Sequence, residues 1–119
     1  DELPHDPDLA ELRYAARWWS QQLHPQAYLT NTHDLGFLIF PWAKLGLELD
    51  GAQDCYQSMM VAARGLAARF DPRVGCIRSW DTCFTKRYAF ADPKDDFLVI
   101  IDNMMSRSPV HMFDGPDFH

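Results

Sequence analysis

Leu9, Leu12, Ala16, Trp19 and Leu23 recur at steps of three and four, the spacing of one face of an α-helix. Ahead of them, Asp6-Pro7-Asp8 supplies an N-cap, a proline for the first helical position and an acid for the first turn. The pattern predicts an amphipathic helix over residues 7–23, which His24-Pro25 ends. Residues 25–33 read as a polar loop. Asp34 opens a second apolar segment, in which Leu35, Leu38, Ile39, Trp42, Leu45 and Leu49 again keep helical spacing. Pro41 lies inside it and predicts a kink, or a helix that begins near Phe40. After a turn at Asp50-Gly51, a third helix is predicted over residues 52–69. Cys55, Met59, Ala63, Leu66 and Phe70 line one face of it, and Gln53, Gln57 and Arg64 face away. Alanines 62, 63, 67 and 68 permit a close approach to a neighbouring helix.

The periodicity then changes. Asp71-Pro72-Arg73-Val74-Gly75 is a turn, and Cys76-Ile77-Arg78-Ser79-Trp80 alternates as an extended segment does. Residues 81–96 are charged and aromatic, with a break at Asp92-Pro93, and Phe97–Ile101 is a short β-rich run. From Ser106 the pattern decays into Arg107-Ser108-Pro109 and Asp114-Gly115-Pro116, which stop any helix. No internal sequence repeat is evident.

Composition narrows the function classes. A chain of 119 residues with 47% hydrophobic and 13% aromatic content is one small globular domain. A net charge of −6 argues against nucleic-acid partners and anionic membrane surfaces. It leaves room for an anionic sugar, since one local arginine or a set of neutral donors outweighs a diffuse field. Cys55, Cys76 and Cys83 are odd in number and lack CxxC spacing, which argues against a disulfide framework and a zinc site. Free thiols fit a reducing, cytoplasmic compartment. No apolar run reaches the length of a membrane span. The chain opens at Asp1 rather than Met, so an upstream segment that would set localisation is open.

Two segments carry candidate chemistry. Val99-Ile100-Ile101-Asp102-Asn103-Met104-Met105 delivers an aspartate from an apolar run. A carboxyl group at the mouth of such a run can sit half desolvated on a pocket floor and trade protons near neutral pH; equally, it can be a helix N-cap. Thr32-His33-Asp34-Leu35-Gly36-Phe37 places a second aspartate where a helix starts, with the same two readings.

Together with Arg69-Phe70 and Gly75-Cys76-Ile77-Arg78-Ser79-Trp80, and in this order around an alanine-rich helix, these segments resemble glycoside hydrolase family 88, the unsaturated glucuronyl hydrolases. The resemblance covers roughly residues 9–106. It implies an all-α fold that is a partial (α/α)6 barrel, an incomplete fragment of a few helical hairpins spanning residues 1–106, with residues 107–119 an irregular tail unlike the family. Such a fragment is expected to be inactive or very weak by itself, because the remaining hairpins carry part of the site.

The resemblance also implies a reaction: release of 4,5-unsaturated glucuronate from lyase-generated oligosaccharides by hydration of the C4=C5 vinyl ether. One carboxyl group runs both steps, giving a proton to C4 and taking one from the water that adds at C5. Carried over by resemblance, Asp102 is that acid/base, and Asp34 is the second carboxylate, binding sugar hydroxyls and helping Asp102 hold a proton. Trp80 resembles the family's site tryptophan, although the Thr82–Asp96 insertion lengthens its spacing to Asp102; it also reads as a core aromatic. His33 is read as orienting Asp34, binding substrate or covering a loop, and Arg78 as a partner for the substrate carboxylate or a solvated arginine. Met59, Met60, Met104 and Met105 read as core filler, and Trp18, Trp19 and Trp42 as packing residues. His33 and Asp34 lack a third metal ligand at a recognisable spacing, and neither metal nor cofactor is expected. The alternatives are an unsaturated rhamnogalacturonyl hydrolase, which shares the barrel, or a non-catalytic helical module whose exposed apolar faces drive self-association.

Overall fold

A computed structural model describes residues 7–103. Asp6, Met104, Met105 and the tail from Ser106 lie outside them. Among the described residues the fold is mostly helical. Helix α1 is Pro7–Leu23, followed directly by a 3-10 turn His24–Tyr28; α2 is Leu35–Asp50 and α3 is Gln53–Ala67. Two small antiparallel hairpins follow, β1 Phe70–Asp71 with β2 Cys76–Ile77, and β3 Cys83–Phe84 with β4 Ala89–Phe90.

The core lies between α2 and α3. Leu35, Ile39 and Ala43 from α2 meet Cys55, Met59, Ala62 and Leu66 from α3, with Ala27 of the 3-10 turn closing one end. Small residues set the spacing. A Cβ at Gly65 would stand 3.1 Å from Leu35 Cδ1, and one at Gly46 would stand 2.7 Å from Cys55 Sγ. Gly51, in the left-handed region at φ 63°, ends α2 by turning its N–H back to Leu47 O, which a residue with a Cβ adopts only under strain.

Three expectations are revised. The alternative in which a helix begins near Phe40 falls, since α2 runs from Leu35 through Pro41, and Pro41 leaves the carbonyl of the exposed Phe37 without its helical donor. Phe70 is exposed and belongs to β1, because α3 ends at Ala67 before that stripe is complete. Phe97–Ile101 forms no strand; its backbone is held by single bonds to Ser79 instead of a ladder. The extended reading of Cys76–Trp80 holds in two places, as β2 and as the isolated bridge between Thr32 and Trp80.

The predicted apolar stripe of α1 forms but is not buried. Leu9, Leu12, Trp18 and Trp19 are all exposed, so Trp18 and Trp19 pack mainly on each other, edge to face at 5.1 Å. Helix α1 is tied to α2 by charge: Arg13 and Arg17 both bond the Asp50 carboxylate. Asp50 closes α2 at the negative end of its dipole, where a carboxylate is unfavourable. The Arg13 hydrogen bond outweighs desolvation and holds its pKa below the ordinary 3.8. No helix among the described residues is long and apolar enough to cross a membrane.

Candidate functional site

The site forms where three loops converge. Residues 30–34 lead into α2, Ser79–Asp81 follow the first hairpin, and Leu98–Asn103 return from the second. Ser79 stitches them together from full burial. Its N–H donates to Leu98 O at 2.8 Å, its hydroxyl donates to Asn103 Oδ1 and accepts from the Ile100 N–H, both at 2.9 Å, and its carbonyl accepts the His33 N–H at 2.9 Å. Arg69, with a side chain only 7% exposed, clamps the same loops. Its guanidinium donates to Thr30 O at 2.5 Å, Arg78 O at 2.9 Å and Ser79 O at 3.0 Å, and pairs with Asp81 at 3.1 Å. One planar fork thus ties two backbone stretches, Thr30 and Arg78–Ser79, together.

This scaffold buries His33 completely and aims its ring. Nδ1 lies 3.1 Å from Ser79 O, while Nε2 lies 3.0 Å from Asp102 Oδ1 and 3.4 Å from Asp34 Oδ1. A carbonyl oxygen only accepts, so Nδ1 carries a hydrogen. Nε2 then faces two carboxyl groups. The carboxyl side chains it faces are 42% exposed at Asp34 and 41% at Asp102, so both reach solvent while the ring that holds them does not.

Asp34 does not cap α2: its carboxylate makes no capping bond, and Thr32 Oγ1 takes the Asp34 N–H at 3.1 Å instead. The side chain is left facing a hollow of about 480 Å³ lined by Asn31, Thr32, Asp34, Trp80, Asp81 and Thr82, within the size range of small-molecule sites. Trp80 is half-buried rather than a core residue, and its ring meets His33 edge-on at 5.3 Å.

The fold therefore brings Asp34, His33, Asp102 and Trp80 together. It does not bring Arg78. That guanidinium donates to Asp96 O and Pro93 O and lies 4.6 Å above the Phe97 ring, beside a second hollow that it shares with Arg69 and Asp81. His33 has no exposed surface, so of its three readings the geometry fits orientation of the carboxylates and not contact with a solute. Spacing offered no third metal ligand beside His33 and Asp34, yet the fold supplies Asp102: the three donor atoms lie within 4.8 Å of one another. The sequence motifs contain Ser79, Asn103 and Arg69 but give them no role, and Asp81 is not among them. The alternation of residues 76–80 was the one signal that Ser79 points inward.

No family model matches the chain, and no solved structure matches it. An unsaturated glucuronyl hydrolase of Formosa agariphila is 34% identical over 92 residues, which is 76% of this chain and 21% of that protein. The chain thus spans about a fifth of the length of the curated relative it matches, and the two are distantly related.

Proposed function

We propose that this chain carries part of the active site of a glycoside hydrolase that hydrates the vinyl ether of a 4,5-unsaturated glucuronyl residue and thereby releases it from an oligosaccharide. The observation that supports this reading most is the convergence of Asp34 and Asp102 on one imidazole nitrogen, beside a hollow that Asp34 and Trp80 line. In this reading the protonated Asp102 carboxyl gives its proton to C4. The positive charge left at C5 is shared with the ring oxygen. Water adds at C5 and returns a proton to Asp102, and the resulting hemiketal opens to expel the aglycone. Asp34 holds sugar hydroxyls, and Trp80 offers an apolar face to the ring. His33 keeps the proton inventory of the two carboxyl groups in register without touching substrate. The relative's similarity supports the same reaction class, and the oligosaccharide is the expected partner.

The test is a chimera in which this chain replaces the matching segment of the Formosa agariphila enzyme. Loss of the vinyl-ether ultraviolet absorbance with an unsaturated glucuronyl disaccharide, abolished by Asp102→Asn in the same soluble chimera, supports the proposal. A soluble, folded chimera without turnover, or one indifferent to Asp102→Asn, overturns it. Turnover of an unsaturated rhamnogalacturonyl disaccharide alone moves the substrate class.

The exposed apolar residues of α1 and α2, Leu12, Trp19, Leu45 and Leu49 among them, favour a second reading: a helical module that associates through these faces. Concentration-dependent sedimentation of a chain whose chimera shows no turnover supports that reading over the first.

A further inference from the structure

We propose that His24, Asp54 and Cys55 form a binding site for a borderline-soft divalent metal ion, of which zinc is the type, at the junction of the 3-10 turn and the first turn of α3. His24 Nε2 lies 3.3 Å from Asp54 Oδ2, and with Cys55 Sγ the donor atoms all lie within 4.8 Å of one another. Tetrahedral zinc with bonds of about 2.0–2.3 Å holds its ligand atoms about 3.3–3.8 Å apart. The nitrogen–oxygen pair already spans one such edge, and the sulfur needs to close by no more than about 1 Å.

The surroundings are arranged as an outer shell. His24 Nδ1 sits 2.6 Å from Ser58 Oγ, which fixes the ring and leaves Nε2 to face the other two donors. Trp42 meets the same imidazole edge-on at 4.9 Å. Asp54 spends Oδ1 on the Cys55 N–H at 2.9 Å and keeps Oδ2 for the cluster. Burial grades across the site: Cys55 is 5% exposed and the Asp54 side chain 64%. Three protein donors thus leave a coordination position open toward solvent. Nitrogen, carboxylate and thiol together suit zinc or cobalt far better than calcium or magnesium, which take oxygen. Without a metal, burial and the neighbouring Asp54 carboxylate push the Cys55 thiol up.

This cluster is distinct from the one at His33, which contains no sulfur. That difference supplies the test. The reduced, metal-free 119-residue chain is titrated with cobalt(II). The expected result is a near-ultraviolet thiolate-to-cobalt charge-transfer band with intense visible ligand-field bands, both displaced by zinc. The Cys76→Ser/Cys83→Ser double variant retains the bands, and Cys55→Ser loses the charge-transfer band. Ser58→Ala weakens binding about tenfold through the freed imidazole, and Asp54→Asn, at an exposed position that folding tolerates, weakens it by at least as much. Circular dichroism checks the fold of each variant. Absence of a charge-transfer band in the parent chain, its survival in Cys55→Ser, or undiminished affinity in Asp54→Asn overturns the proposal.

Discussion

His33 and Asp102 stand 69 positions apart in the chain and meet with Nε2 and Oδ1 3.0 Å apart. The imidazole is wholly buried, whereas the carboxyl group is about two-fifths exposed. The buried partner therefore acts on the solvent-facing one, setting its orientation. A carboxyl group held in this way from behind, and about two-fifths exposed, can hand a proton outward and retrieve one.

From this relation follows the expected phenotype of Asp102→Asn in the chimeric enzyme. The amide keeps the size of the side chain and a hydrogen bond to His33 but cannot donate and accept a proton in turn. Turnover is expected to fall by at least about 10²–10⁴-fold, with KM changed little. Steady-state rates on the unsaturated disaccharide check this. A change confined to KM assigns Asp102 to binding.

His33→Ala separates positioning from chemistry. It removes a buried ring that bonds Ser79 O and both carboxyl groups. The expected result is a lower kcat, since the two carboxyl groups lose the ring that orients them, while KM holds because His33 touches no substrate. His33→Asn, which restores one polar contact, is expected to recover part of the stability but not the rate.

Arg69→Lys tests the clamp. Lysine keeps the charge but cannot reach three carbonyls and Asp81 with one planar group. Loss of the bonds to Thr30 O, Arg78 O and Ser79 O is expected to cost about 2–3 kcal/mol of stability, read from denaturant unfolding at constant slope. Hydrogen exchange in residues 30–34 and 78–81 should accelerate before exchange in α3 does.

How far these features were legible differs by element. The first helix was readable because its cap residue, proline and apolar stripe agree on one answer, and the third because its stripe is regular and follows a turn at Asp50-Gly51. At Pro41 the sequence left a kink and a later start both open, and the continuous α2 removes the later start, helix packing through Leu35 and Ile39 overriding one missing hydrogen bond. Phe97–Ile101 carries strand propensity but finds no ladder; its partner is the single residue Ser79, and propensity alone cannot reveal that. The site divides in the same way. Asp34, Asp102 and Trp80 were recognisable from their motifs, and the fold brings them together. The role of Arg69 was hidden because nothing local marks an arginine whose partners are backbone carbonyls up to 39 positions away. Arg78 stands apart from that cluster for the converse reason, its charge being visible in sequence but its partners, Asp96 O and Pro93 O, lying in the insertion.

The thiols should be chemically unequal. Burial pushes the Cys55 thiol up, and its sulfur lies against Gly46. Cys76 and Cys83 are partly exposed. With limiting iodoacetamide at neutral pH, Cys55 is expected to label at least about tenfold more slowly than either, as read by peptide mass spectrometry. Labelling of Cys55 at the same rate means that the α2–α3 contact opens on the alkylation timescale.

The tie between α1 and α2 sets an acid dependence. Asp50 is 8% exposed and bonded by Arg13 and Arg17, whose side chains are 57% and 60% exposed. Its pKa is lowered in the folded chain, chiefly by the Arg13 hydrogen bond. A carboxyl group whose folded pKa is depressed stabilises the fold above its unfolded value, here 3.8, and that stabilisation disappears as the pH falls through the lower folded value. Asp50→Asn is therefore expected to cost about 0.5–1 kcal/mol at neutral pH, the arginines being largely solvated, and to cost nothing once the parent Asp50 is protonated. The gap should also shrink in high salt. Melting curves followed by Trp18 and Trp19 fluorescence from pH 7 downward check this: parent and variant must converge in acid, and a constant offset across the range would place the effect in helix propensity and not in the ion pair.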